Sequence, residues 1–356
     1  MVNGKRRVLM PTLEDDSIVF RFPQIEEEAH FSVEFQRTLR IPDSEKTYSL
    51  PPGFGRFPVR HAEDYSSKLP KTTKDRGGVI LPMWQSEAMW INFHNKGPYR
   101  KPDFPVAIKI AAGKINAITG EAWNSGLHRE PQDYVVSPTQ PWLDGFAIEK
   151  GVIRQFVAMP LGEGYSVEEQ LTGEAEWGGL QIVVAPLKAS VWQKKLDEWD
   201  RRQEVRPLYL CRQNVAYSMS TPPPMALAAG GKMRQEIFPD PYNLEDWDFS
   251  AAERVFVTLV HAKDWLVITG EAALDMPPSA SEYTKAGLPW FEYYGKDQEG
   301  LPGGKPLTQV KSVSSIFKQT TGANLPDSED ISVNTIMSVG PGAKAPRAIQ
   351  LGEPWD

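Results

Sequence analysis

The side chains able to do chemistry fall into two sets, carboxylates among aromatic segments and tryptophans beside turns. Glu87, Asp144, Glu169 and Glu174 lie in or next to aromatic-rich stretches. A glycan-cleaving site needs two carboxylates several ångströms apart near a stacking surface, one giving a proton and one serving as base or nucleophile. These four are the candidates for such a pair, and only the fold decides which of them meet. Trp123, Trp142, Trp177 and Trp247 stand beside turns rather than mid-strand, and binding residues sit on loops more often than in cores. An indole at such a corner offers a flat apolar face to a ligand. Its competing use is as a large core anchor.

Gly230-Gly231-Lys232-Met233-Arg234 could form a backbone nest for a phosphate or carboxylate, with Lys232 and Arg234 as flanking cations. A plain hairpin turn is the simpler reading. Asp246-Trp247-Asp248 has an Asp-x-Asp form that can hold a metal, but three residues are too common to carry that claim. Asp297-Gln298-Glu299-Gly300 lacks the regularly spaced oxygen ligands of a calcium loop. His30, His61, His94, His128 and His261 show no metal-ligand spacing, so no metal and no cofactor is expected. Cys211 sits beside Leu210 in an apparent strand and reads as a buried, inert thiol. No phosphate-binding loop, dinucleotide fingerprint, nucleophile elbow or zinc-protease helix motif is present.

The formal charge of −7 argues against a nucleic-acid or anionic-membrane surface, and the local Lys5-Arg6-Arg7 is too short to reverse it. One cysteine forbids an intrachain disulfide framework and suits a reducing compartment. The opening MVNGKRRVLMPTLEDDS lacks the apolar run of a signal peptide, and no window is long enough to span a membrane. A soluble, cytoplasmic protein is expected.

The elements that must position these residues are short, because 31 prolines and 28 glycines punctuate the whole chain. Strands are expected at 16–22, 30–40, 133–136, 145–149, 151–159, 180–185, 206–218 and 253–261, with one or two in 77–94 and another at 289–295. Residues 104–119 read as a hairpin turning at Gly113-Lys114. Ser166 followed by Glu169 marks a capping box for one short helix ended by Gly173. Ser190–Glu204 reads as a helix with Trp192, Leu196 and Trp199 on one face. Residues 41–78 look like an irregular surface connection. We expect one mainly β domain over 1–317, β-sandwich-like with a few short helices, and a polar, Pro/Gly-rich strap or tail over 318–356. An α+β fold is the alternative.

Two echoes recur. Thr-Gly-Glu-Ala stands at 119–122, 172–175 and 269–272, and AAGKINAI (111–118) resembles AAGGKMRQEI (228–237). Either the chain duplicates a β unit or it reuses good turn chemistry, and the unequal spacing favours reuse. The segments PQDYVVSPTQPWLDG (131–145), RQFVAMPLGEGYSVEEQLTGEAEWGGLQI (154–182) and ALAAGGKMRQEIFPDPYNLEDW (226–247) resemble an uncharacterised family of conserved hypothetical proteins of bacteria and fungi. That resemblance runs from about Pro51 to Val313 and implies one domain across it. It supplies no activity, and the 190–204 helix stands where the family would have a Pro-rich loop.

The leading expectation is a non-catalytic binding or structural protein whose aromatic corners recognise a small-molecule or glycan ligand, or a protein partner. Two rivals stand beside it. One is a glycan- or ester-directed hydrolase using paired carboxylates, and the other is a self-assembling homo-oligomer whose edge strands pair between subunits.

Overall fold

The computed structural model describes residues 10–201, 224–293, 299–333 and 335–339. It is mainly β, with 36% strand and 21% helix. Among the described residues seventeen strands join one continuous sheet, and two more form a separate parallel pair, Trp290–Tyr293 with Ile336–Val339.

Side-chain alternation explains how that sheet folds over. In His30–Thr38, Phe31, Val33 and Phe35 are fully buried while Ser32, Glu34 and Gln36 face outward. This strand pairs antiparallel with Ser17–Arg21 on one side and along its length with Ala88–Lys96 on the other. Ala88–Lys96 meets Val152–Pro160, which pairs in turn with Pro224–Arg234. A second run orders Val79–Met83, Glu253–His261, Leu180–Pro186, Val106–Ala112 and Val135–Ser137. The runs join where Pro224 and Met225 pair with Val260 and Leu259. Phe20, Phe35 and Ile91 of the first run share one core cluster with Leu81, Ile110, Ile182 and Val257 of the second. The two runs therefore pack face to face, sandwich-like, around a common interior.

The outward faces are not left bare. Val157, Met159 and Ala228 are covered by Val313 and Ile316 of the helix Val313–Thr321. Ala107, Val136 and Ala185 pack with Tyr134 and Trp247, and Val191 leans on that group. The helix Ala189–Arg201 docks as its apolar stripe requires: Trp192 is buried, edge-on to Phe104 at 5.0 Å, and its indole N–H donates to Glu26. Trp199, on the same stripe, stays 39% exposed.

The expected short helix is Val167–Thr172, with a complete Ser166–Glu169 capping box and a left-handed Gly173. Gly113 turns the 104–119 hairpin at φ 57°. Two expectations fail here. Residues 41–78 are no irregular surface connection: they hold the strands Thr47–Tyr48, Gly53–Arg56 and Arg60–His61 and the short helices Glu63–Lys68 and Lys71–Arg76, with Ile41, Phe57 and Val59 buried. Gly230-Gly231 is neither nest nor turn but lies inside the strand Pro224–Arg234. A Cβ on Gly230 would sit 2.5 Å from Val157 Cγ2, and one on Gly231 would sit 2.4 Å from the Pro42 carbonyl oxygen. Close approach of neighbouring chain, not a turn, requires glycine there. The expected 206–218 strand, Cys211 with it, lies outside the described residues, as do 340–356 of the tail. Of the tail that is described, Ile336–Val339 forms a strand on Trp290–Tyr293.

Candidate functional site

A cleft of about 630 Å³ opens where 140–142, 150–152, 234–238 and 291–293 converge beside Thr47–Leu50. Pro141 has no N–H to give a strand ladder, and two buried glutamines take its place. Gln140 Nε2 donates to the carbonyls of Trp142 (3.1 Å) and Glu236 (3.2 Å), while its Oε1 accepts from the Phe238 N–H. Gln235 Nε2 donates to the same Trp142 carbonyl at 3.3 Å, and its Oε1 accepts from the Asp144 N–H at 2.9 Å. These side-chain rungs lock the Trp142 segment to the end of the Pro224–Arg234 strand. Leu50 and Phe291 exchange backbone hydrogen bonds of 2.8 and 2.9 Å, which brings Tyr293 to the opposite side.

Trp142 is half-buried and meets Tyr293 edge-to-face at 4.6 Å, with Trp90 behind it at 6.4 Å. Its indole N–H donates to Asp144 Oδ2 at 2.5 Å. Burial pushes the Asp144 carboxyl up from 3.8 to about 7, against the opposing effect of that hydrogen bond. Around the aromatic pair the lining carries Lys150, Arg234, Glu236 and Glu292, two cations against two carboxylates. Arg234 and Glu292 are within 3.1 Å of each other.

Of the expected ligand-binding residues, then, Trp142 and Arg234 share this cleft. Lys232 lies one rung away on the same strand and donates to Glu45 at 2.9 Å. Trp123 and Trp177 line a different cavity. Trp247 is no exposed corner: it is 4% exposed, and its indole donates to an Asp240 oxygen that also accepts from the Tyr134 hydroxyl. It is a core anchor.

The four carboxylates are dispersed into separate roles. Glu87 is buried against Arg37 at 2.6 Å and accepts from the Trp84 N–H. Glu169 accepts from the N–H groups of Gly162, Gly164 and Ser166 and from the Ser166 hydroxyl, fixing the loop before its helix. Glu174 is exposed and reaches Lys114 at 3.6 Å. Asp144 supports Trp142. The Asp-x-Asp pair is likewise spent locally, since Asp246 closes a capping box with Asn243 and Asp248 caps Ser250. Among the described residues no group of three or more His, Cys, Asp or Glu converges to hold a metal, and no helix is long and apolar enough to cross a membrane.

Gln140, Gln235, Phe291 and Tyr293 escaped the sequence reading. Gln140 adjoins the Pro-Trp corner, which was a usable signal. Tyr293 reaches it only through the Leu50–Phe291 bridge, a contact between distant segments.

The fold and cleft define a mainly β protein with an aromatic, charge-balanced pocket. No family model, curated protein or solved structure matches the chain.

Proposed function

We propose that this is a non-catalytic binding protein whose Trp142 cleft takes a neutral, polyhydroxylated ligand of the carbohydrate class. The observation that carries the reading is the Trp142–Tyr293 aromatic pair set among balanced charges. A sugar ring presents apolar C–H faces that pack on aromatic side chains, and hydroxyls that both donate and accept. Glu236 and Glu292 accept, Lys150 and Arg234 donate, and their charges cancel, so the lining favours no ionic ligand. A volume of about 630 Å³ falls within the usual range for small-molecule pockets.

Binding is supported over hydrolysis by the fate of the carboxylates. Glu87 and Glu169 are saturated by internal partners, and Asp144 is bonded to the indole it supports. The test is titration of the full chain with neutral di- and oligosaccharides, read by intrinsic tryptophan fluorescence and by the thermal midpoint. A ligand that binds only the folded state at a hundred times its dissociation constant adds about 2.7 kcal/mol. At least one sugar class should shift both signals. A panel that leaves both flat at 10 mM contradicts the reading, and release of reducing ends during the titration would favour hydrolysis.

A further inference from the structure

The cavity that holds Trp123 and Trp177 has a different chemistry, and its position follows from strand alternation. Leu180, Ile182 and Val184 turn into the core, so Gln181 faces outward. It lies between Ala111 on one neighbouring strand and Phe256 on the other. The small Ala111 leaves room beside it. Gly178 and Gly179, at φ 52° and 58°, carry the chain sharply into this strand and hold Trp177 at the cavity's edge. A Cβ on Gly179 would lie 2.3 Å from the Val257 carbonyl oxygen, so the turn admits no other residue without a shift.

The cavity is about 350 Å³. Arg76, Lys114 and Arg254 line it, and no carboxylate does. Arg76 spends both terminal nitrogens on neutral carbonyls, those of Trp177 and Glu176, which fixes its guanidinium 4.2 Å from the Trp177 ring centroid. Lys114 lies 4.8 Å from the same ring and pairs with the exposed Glu176 at 2.6 Å. Among the described residues Arg76 forms no ion pair within 4 Å, although Glu168 and Glu176 act on it from further off, and Arg254 stacks on the Phe256 ring at 5.4 Å. Three N–H donors of the lining, Arg76 Nε, Trp177 Nε1 and Gln181 Nε2, are buried without a hydrogen-bond partner. Buried donors are seldom left unpaired, because each then forfeits its hydration with nothing in return. Here the group that would satisfy them is an acceptor. Glu168 and Glu176 act on Arg76, and Glu174 and Glu176 pair with Lys114, so Arg254 is the cation that selects an anionic one.

The geometry points to an anion-binding site that takes a small planar acid, a carboxylate or phosphate carried on an aromatic ring. The charged end of the ligand meets Arg254, Lys114 and the unpartnered donors of Arg76 and Gln181. The ring packs among Trp123, Trp177 and Phe256. The volume fits one ring and its acidic group, at the small end of ligand pockets. This cavity shares no lining residue with the Trp142 cleft, so the inference does not depend on the carbohydrate reading.

The experiment is calorimetric titration of the full chain with benzoate and with phenyl phosphate, and with benzamide as the neutral counterpart. At least one anion should bind with a dissociation constant near or below about 1 mM, with benzamide about tenfold weaker or silent. Whether benzoate or phenyl phosphate binds tighter names the acidic group. Raising sodium chloride from 50 to 500 mM should weaken the anion several-fold, because the cations lie near solvent. Arg254→Gln, at an exposed strand position that leaves the fold intact, should weaken it about tenfold, and Trp142→Ala should not change it. The inference is overturned if neither anion binds at 10 mM. It is equally overturned if benzamide binds as well as the anions, or if neither salt nor Arg254→Gln weakens binding.

Discussion

Trp142 Nε1 and Asp144 Oδ2 stand 2.5 Å apart, so the ring that walls the cleft is held by a buried carboxyl two residues along its own chain. The same pair sets a pH signature. Asp144 stays protonated to about pH 7 in the folded chain, whereas its ordinary value is 3.8. Between those values the folded state holds one proton more than the unfolded state, so this group's contribution to stability falls as pH rises.

Asp144→Asn keeps an oxygen to accept the indole N–H and removes the titration. Its advantage over the wild type should grow across pH 4–7 by up to about 1.4 kcal/mol per pH unit and level off above pH 7. Urea unfolding at pH 4, 5.5, 7 and 8.5 measures this. A gap independent of pH would show that burial does not raise this carboxyl.

The Arg37–Glu87 pair is almost wholly buried, its side chains 7% and 1% exposed. Glu87→Ala should cost about 3–5 kcal/mol because it strands a buried guanidinium. Replacing both partners with methionine should cost less than either single change. A double variant that loses the sum of the two single losses, again by urea unfolding, would contradict a coupled pair.

Two glycines separate backbone strain from crowding. Gly270 has φ 87° with nothing within 4 Å of where a Cβ would stand, so Gly270→Ala should cost about 1–2 kcal/mol from conformation alone. Gly179→Ala adds the 2.3 Å approach to the Val257 carbonyl oxygen and should cost clearly more. Thermal midpoints of the two variants rank them, and the reverse order would mean that crowding at Gly179 relaxes at little cost.

The three Thr-Gly-Glu-Ala segments show what local sequence can and cannot convey. At each one the Thr hydroxyl accepts the Glu N–H, at Thr119, Thr172 and Thr269, and the glycine is left-handed. Two of them end short helices, Val167–Thr172 and Trp265–Thr269, and one follows the bridge strand Ile115–Asn116. The motif is a turn used three times. The second echo dissolves: Gly113 turns a hairpin, whereas Gly230 and Gly231 run straight through a strand. Similar short strings take different backbones there because Pro42 and Val157, distant in sequence, press on the second one.

Legibility follows the same division. The capping box at Ser166–Glu169, the alternation of Phe31, Val33 and Phe35 and the stripe of Trp192 are set by neighbours within a few residues, and all were readable. The site was readable only in part. Trp142 announces itself beside a Pro corner, but the residues that complete its cleft, Gln235, Phe291 and Tyr293, come from segments far along the chain. Trp247 sits at a similar corner and is buried by Tyr134, Asp240 and Tyr242. No pattern in the sequence separates those two tryptophans.

The most direct measurement of the central claim is the dissociation constant of the tightest oligosaccharide for Trp142→Ala and Trp123→Ala beside the wild type. Trp142→Ala should weaken binding at least tenfold, about 1.4 kcal/mol, while Trp123→Ala, in the other cavity, should leave it unchanged. Wild-type affinity in Trp142→Ala, with loss in Trp123→Ala, would place sugar recognition elsewhere and contradict the account.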